Sequence, residues 1–221
     1  AVIAIENVRL FKELQTRNAE ITESLEQQTA TAEILSVISS SPTNLQPVFD
    51  AILEKAIRLC DAHMGHLGLY DGEEHRIVAQ RGASAEYAKF LGERGPYRPT
   101  PSGSIARMIA ERQPIHIADR MDSPDYRDGN PGVIAMVELG GARTYILAPM
   151  LMEGRVVGGI QIYRPEVRPF TQKQIDLVST FANQAVIAIE NARLFNETKE
   201  ALEQQTATAD ILRVISSSHN D

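Results

Sequence analysis

The two ends of the chain contain no helix-breaking residue, and they are copies of each other. All 14 glycines lie between Gly65 and Gly159, and all 11 prolines between Pro42 and Pro169. An internal glycine costs a helix about 1 kcal/mol and a proline about 3 kcal/mol. The first 41 and last 52 residues are therefore free to run as long helices, while turns are confined to the centre. A simple single globule is excluded. A compact centre with helical arms is expected.

Ala1–Gln15 and Ala185–Lys199 match at 11 of 15 positions, and Glu23–Ser41 and Glu200–Ser218 at 16 of 19. The offset falls from 184 to 177, because the N-terminal copy carries seven extra residues, Thr16–Thr22. An insertion of one heptad preserves the phase of a coiled coil. A seam follows at spacings of three and four. It runs through Phe11, Leu14, Asn18, Ile21, Leu25, Gln28, Ala32 and Leu35, and in the second copy through Phe195, Thr198, Leu202, Gln205, Ala209 and Leu212. Asn18, Gln28, Gln205 and Thr198 make it weak, and a buried Asn favours one register and a paired state. Two readings follow: an exposed amphipathic helix, or a marginally stable parallel coiled coil that small free energies can shift.

A period of about 180 residues is too long for a solenoid and suggests whole domains joined by helices. The sequence is read as a fragment of a longer protein. It divides into an N-terminal signalling helix, 1–41, ending a preceding unit; a central domain, 42–184; and a C-terminal signalling helix, 185–221, continuous with the last helix of the domain.

Bulk composition removes several classes. The net charge of −7 argues against nucleic acid. Each arm carries −3 and the centre −1. A lone cysteine, Cys60, forms neither an internal disulfide nor a thiolate zinc site, and a cytoplasmic setting is expected. No run is apolar enough for a membrane span. Phosphate-binding glycine loops, nucleophile elbows and metalloprotease helices are absent, so neither catalysis nor a metal is expected.

In the centre, Val48, Phe49, Ile52, Leu53, Ala56 and Ile57 give a helical stripe after a possible Thr43 or Asn44 cap. Strands are expected at 66–70 and 76–80, short helices at 86–91 and 102–111, and a short strand at 114–118. A long loop with at most one helix follows over 121–138, then a hairpin at 144–150 and 156–163. Thr171 and Gln174 have capping-box spacing. The helix they open, continued to Ile215, would be roughly 68 Å long at 1.5 Å per residue.

This order of elements resembles a GAF domain. RPFTQKQIDLVSTFANQAVIAIENARLF, ATAEILSVISSSPTNLQPVFDAIL, PIHIAD and ILAPMLMEGRVVGGIQIY carry the resemblance. It is similar to tandem GAF regions of sensor histidine kinases, and less often of nucleotide cyclases. The resemblance implies an α+β fold: an antiparallel sheet of about six strands, with helices from both chain ends on one face and a small-molecule pocket on the other. It also implies a regulatory, often dimeric module. The expected partners are a second copy through parallel helices, a small-molecule ligand and an output domain in the parent chain. A spacer GAF without ligand, or a haem, redox or light sensor, remains as an alternative.

The Cys-His pair of covalent bilin binders and the Asn-Lys-Phe-Asp-Glu signature of cyclic-nucleotide binders are absent. No cofactor is expected. His63, His75 and His219 read as surface or wall residues, whereas His66 and His116 are candidates for the pocket. Ser102, Gly103 and Ser104 open a helix whose free amides could hold an anion, or they form an ordinary serine cap. The family arrangement places Arg81, Arg98 and Arg143 near pocket edges and makes Tyr126 and Tyr145 candidate aromatic walls. A carboxylate or phosphate compound is the leading ligand class.

Overall fold

The computed structural model describes the backbone of residues 2–217 and the side chains of residues 6–209. The expected arms are continuous helices. α1 spans Val2–Ser40 and α7 spans Gln172–Ser217, 46 residues or roughly 69 Å. The capping box that opens α7 is formed. The Gln174 N–H donates to Thr171 Oγ1 at 3.3 Å, and the Thr171 N–H to Gln174 Oε1 at 3.0 Å. Among the described residues no helix is long and apolar enough to cross a membrane.

Between the arms lie α2 (Gln46–Leu59), β1 (Met64–Tyr70), β2 (His75–Arg81), α3 (Ala85–Arg94), α4 (Ser104–Glu111) and β3 (Ile115–Ile117). A 3-10 turn (Arg120–Asp122), α5 (Pro124–Arg127), α6 (Pro131–Glu138), β4 (Thr144–Met152) and β5 (Arg155–Arg164) complete the unit. The segment 121–138, expected to hold at most one helix, thus carries two short helices and a 3-10 turn. Prolines at the first or second position of α5 and α6 and the Asn130 cap on the Gly132 N–H start them. Neither is long enough to show a period. Asn44 accepts the Gln46 N–H from outside α2, whose cap position is Leu45.

The fold is α+β. An antiparallel five-stranded sheet, in the order β2-β1-β5-β4-β3, stands where about six strands were expected. Beyond β2 a single bridge, His75 with Tyr97, is the only further pairing among the described residues. Alternation along the strands gives each face its own core. Leu67, Ile146, Ala148, Met150, Ile160 and Ile162 face α2 and α7. Met64, Tyr145, Leu147 and Tyr163 face α3, α4 and α6.

α1 lies outside this sandwich, in the groove between α2 and α7. Ala30, Ile34 and Ile38 are buried there, with Ile34 completely inaccessible. Glu23 pairs with Lys173 of α7 at 3.3 Å, and Glu33 with Lys55 of α2. Ile38 shares a cleft with Asn191, Leu194 and Phe195, so α1 and α7 run in the same direction. The expected seam runs along the exposed side of the two helices, with Gln28, Ala32 and Leu35 bordering the cleft against α7, and Phe195 and Thr198 the cleft against the end of α1. Phe11, Leu14, Ile21, Leu25, Leu35, Phe195 and Leu202 are exposed large apolar side chains. Asn18, Gln28, Ala32, Thr198, Gln205 and Ala209 are exposed as well. Leu212 and His219 lie outside the residues whose side chains are described.

Candidate functional site

The pocket-facing rows of the sheet set the site. Cross-strand register places His66 of β1 beside Gln161 of β5, and Gln161 beside Leu147 of β4. Two residues along, on the same face, Tyr163 stands between Met64 and Tyr145. A glutamine in the middle of an apolar strand needs partners, because burying an amide without them costs roughly 1–3 kcal/mol. Gln161 Oε1 accepts from the Tyr145 hydroxyl at 3.2 Å and the Tyr163 hydroxyl at 3.1 Å. The single Tyr163 proton being spent on Gln161, the 2.9 Å contact to His66 requires a ring N–H to donate. Burial lowers the His66 pKa to about 3, so the ring is neutral. Gln161 Nε2 is left buried with no partner.

Above these rows the chain closes a cavity of ≈ 50 Å³. A single water needs roughly 10–15 Å³ on the same measure, so the space suits a few atoms. Ile77, Tyr87, Leu91, Val133 and Met136 supply apolar walls, and His66, Gln161, Arg94, Arg120, Asp125 and Asn130 the polar ones.

One cation is internally compensated. The Arg120 guanidinium donates to Asp125 Oδ2 at 2.8 Å and to Ser104 Oγ at 2.8 Å, with its Nε unpartnered. It also lies 4.7 Å from the Tyr145 ring centre. The same Asp125 oxygen accepts the Ser104 hydroxyl at 3.2 Å and the Ser104 backbone N–H at 3.4 Å. The amides that open α4 therefore already face a carboxylate of the protein itself.

Arg94 differs. Its guanidinium lies over the Tyr97 ring at 3.5 Å from the centre. Gly132 of α6 packs against the same guanidinium, and a Cβ there would displace it. No carboxylate pairs with it among the described residues. Tyr97 is held by its two backbone hydrogen bonds to His75, at 2.8 and 3.0 Å. The His75 ring packs on Gly68, where a Cβ would strike it, and both its nitrogens are unpartnered. Burial lowers its pKa to about 4.

Of the residues expected from sequence, His66, Gly103, Ser104 and Tyr145 line the cavity. The others stand elsewhere. Arg81 pairs with Glu54 of α2, Arg98 with Glu73, and Arg143 with Asp119. Ser102 is exposed and Tyr126 half-buried outside the lining. His116 accepts the Phe170 N–H at 3.2 Å and fastens the entry to α7. The sequence reading missed Arg94, Tyr97, Arg120, Asp125 and Gln161. For Gln161 a signal existed, a lone amide in the apolar run Val156–Tyr163. Cys60 is buried at the C-terminal cap of α2 and its thiol is pushed up to about 12 by burial, which leaves it a small apolar filler. No cluster of three His, Cys, Asp or Glu suited to a metal occurs among the described residues.

Residues 42–190 match the family model of the GAF domain, and the chain belongs to that family. Among solved structures it is similar to the GAF domain of a phosphoenolpyruvate-protein phosphotransferase from Coxiella burnetii. The TM-score is 0.63 at 19% identity, over 78% of this chain and 98% of that one. It is similar also to a methyl-accepting chemotaxis protein, residues 122 to 287, with TM-score 0.60 and 20% identity over 73% and 98%. A third is a domain assigned to a two-component sensor histidine kinase of Sinorhizobium meliloti 1021, with TM-score 0.55 and 19% identity over 69% and 95%. At these identities the likeness is one of fold.

Proposed function

We propose that this GAF domain is a regulatory sensor module whose cavity takes a small anionic compound. The observation that carries the reading is Arg94. It is a guanidinium on the cavity wall, stacked on Tyr97 and packed against Gly132, with no acidic partner among the described residues. The unpartnered Gln161 Nε2 adds a donor in the same lining. Arg120 being neutralised by Asp125, the lining carries one net positive charge, which suits a carboxylate or a singly charged phosphate ester. His66, Gly103, Ser104 and Tyr145 belong to this site. Arg81, Arg98, Ser102, His116, Tyr126 and Arg143 lie outside the cavity and would act only through it.

In this reading, 42–184 is the sensor, 1–41 and 185–221 are signalling helices, and the exposed seams pair in a parallel homodimer. Such a device suits a tandem-GAF sensor protein with an output domain such as a histidine kinase. The ligand must bind one helix arrangement better than the other, or it transmits nothing.

A second reading, a spacer GAF without ligand, is favoured by the small size of the cavity. A thermal-shift screen of small carboxylates and phosphate esters separates the two. Stabilisation by an anion that disappears in Arg94→Met supports the sensor. No stabiliser, or one indifferent to Arg94, supports the spacer.

A further inference from the structure

The stretch of α1 seated between α2 and α7 has a second copy in the chain. Ala30, Ile34 and Ile38 are the buried anchors of the first copy, with Val37 half-buried beside them. Their counterparts are Ala207, Ile211, Ile215 and Val214, all four identical. The two acids that pair with the groove also recur. Glu23, bonded to Lys173, becomes Glu200, and Glu33, bonded to Lys55, becomes Asp210. Between Glu23 and Ser41 only three positions differ, where Ser24, Glu33 and Ser36 give way to Ala201, Asp210 and Arg213. All three are exposed in α1. The apolar anchors are thus unchanged, and the one differing residue that pairs with the groove, Glu33, is replaced by another acid.

We propose that the α2/α7 groove is a receptor for this 19-residue sequence, and that Glu200–Ser218 fills the same groove on a second copy of the domain. The inference rests on the tandem reading above. The opposite end of the connecting helix supports it. Ala185, Ala188 and Ala192 bury against the domain that α7 closes. The first two recur as Ala1 and Ala4, and Val8 stands for Ala192. Each connecting helix therefore has a rear face for the domain it leaves and a forward face for the domain it enters. From Ala192 to Ala207 is roughly 22 Å along the helix, and from Val8 to Ala30 roughly 33 Å, at 1.5 Å per residue. One heptad changes that spacing by about 10 Å and turns the faces by only about 20°. A rotation of α7 at its own domain would then move α2 of the next domain directly.

The test uses the full chain with a short bis-maleimide crosslinker. Lys55→Cys with Glu33→Cys should crosslink within one chain. Lys55→Cys with Asp210→Cys should crosslink between chains. The interchain yield should rise several-fold when Ile34→Ala loosens the resident segment, and fall to the level of Lys55→Cys alone when Ile211→Asp is added. The idea is overturned if the Asp210→Cys pair does not crosslink even with Ile34→Ala, or crosslinks equally with Ile211→Asp. Leu25→Lys, which attacks the seam, should leave the crosslink intact. Loss of the crosslink with Leu25→Lys would assign it to the seam dimer and overturn the groove assignment. Thermal shift by anions is unaffected by either outcome.

Discussion

Asp125 occupies the N-terminus of α4 through Ser104, accepting both its backbone N–H at 3.4 Å and its hydroxyl at 3.2 Å. The same oxygen holds the buried Arg120. Removing one partner of a buried pair leaves an uncompensated charge and costs about 3–5 kcal/mol. Asp125→Asn should therefore lower the denaturant midpoint strongly. In the fraction still folded at low denaturant, anion affinity should rise, because Arg120 and the α4 amides are released. An unchanged midpoint would show that the pair contributes nothing. Burial raises the Asp125 pKa, but Arg120 and the hydrogen bonds outweigh it and hold the carboxyl below its ordinary range. Its contribution is complete above the unfolded value of about 3.9. It is lost as the pH falls through the lower folded value.

His66 and His75 destabilise the fold at a higher pH. Burial lowers them to about 3 and about 4, against an unfolded value of about 6.5. Between those values the unfolded chain binds two protons that the folded one does not. Stability is therefore full above about pH 6.5 and falls on acidification, by up to about 1.4 kcal/mol per pH unit for each ring. His75→Leu removes a ring whose nitrogens have no partner. It should flatten the stability curve between about pH 4 and 6.5 by one such slope. Equal slopes in the two proteins would refute the buried neutral state.

Arg94 is half-buried and makes no ion pair among the described residues, so its removal tests binding more than folding. Arg94→Met should keep the melting temperature within a few degrees and weaken anion binding by about 10–100-fold, the range of a hydrogen bond to a charged group. Calorimetric titration of a stabilising carboxylate reads it. Gln161→Leu should also weaken binding, and it should lower stability as well, because Tyr145 and Tyr163 lose their shared acceptor.

Fold was more legible than site, for a physical reason. α2, α7 and the β4/β5 hairpin show in the sequence because each presents a long periodic apolar face. The Thr171–Gln174 box shows because two residues three apart each accept the other's backbone N–H with a side-chain oxygen. Arg94, Arg120, Asp125 and Gln161 meet only after the sheet register and the 95–138 segment are set, and no local pattern encodes that meeting. The Pro101–Ser104 segment illustrates the limit. Free amides at a helix start read as a ligand site, but whether a carboxylate 21 residues on already fills it is a tertiary fact.

The two faces of α1 should respond oppositely to substitution. Ile34 is inaccessible between α2 and α7, and Ile34→Ala should cost about 2–5 kcal/mol in the protomer. Leu25 is 57% exposed, so Leu25→Lys should change protomer stability by no more than about 0.5 kcal/mol. If the seams pair, the same lysine puts charge into the dimer. The mass by light scattering should then fall, and the dependence of melting temperature on concentration weaken, by the share the seam contributes beside the groove contact of Glu200–Ser218. Phe195→Lys and Leu202→Lys, both on exposed positions of α7, should act in the same direction. A wild-type mass of one chain at high concentration would remove the paired-helix mechanism while leaving Ile34 as destabilising as before. The two substitutions therefore separate what holds α1 to its domain from what joins one protomer to another.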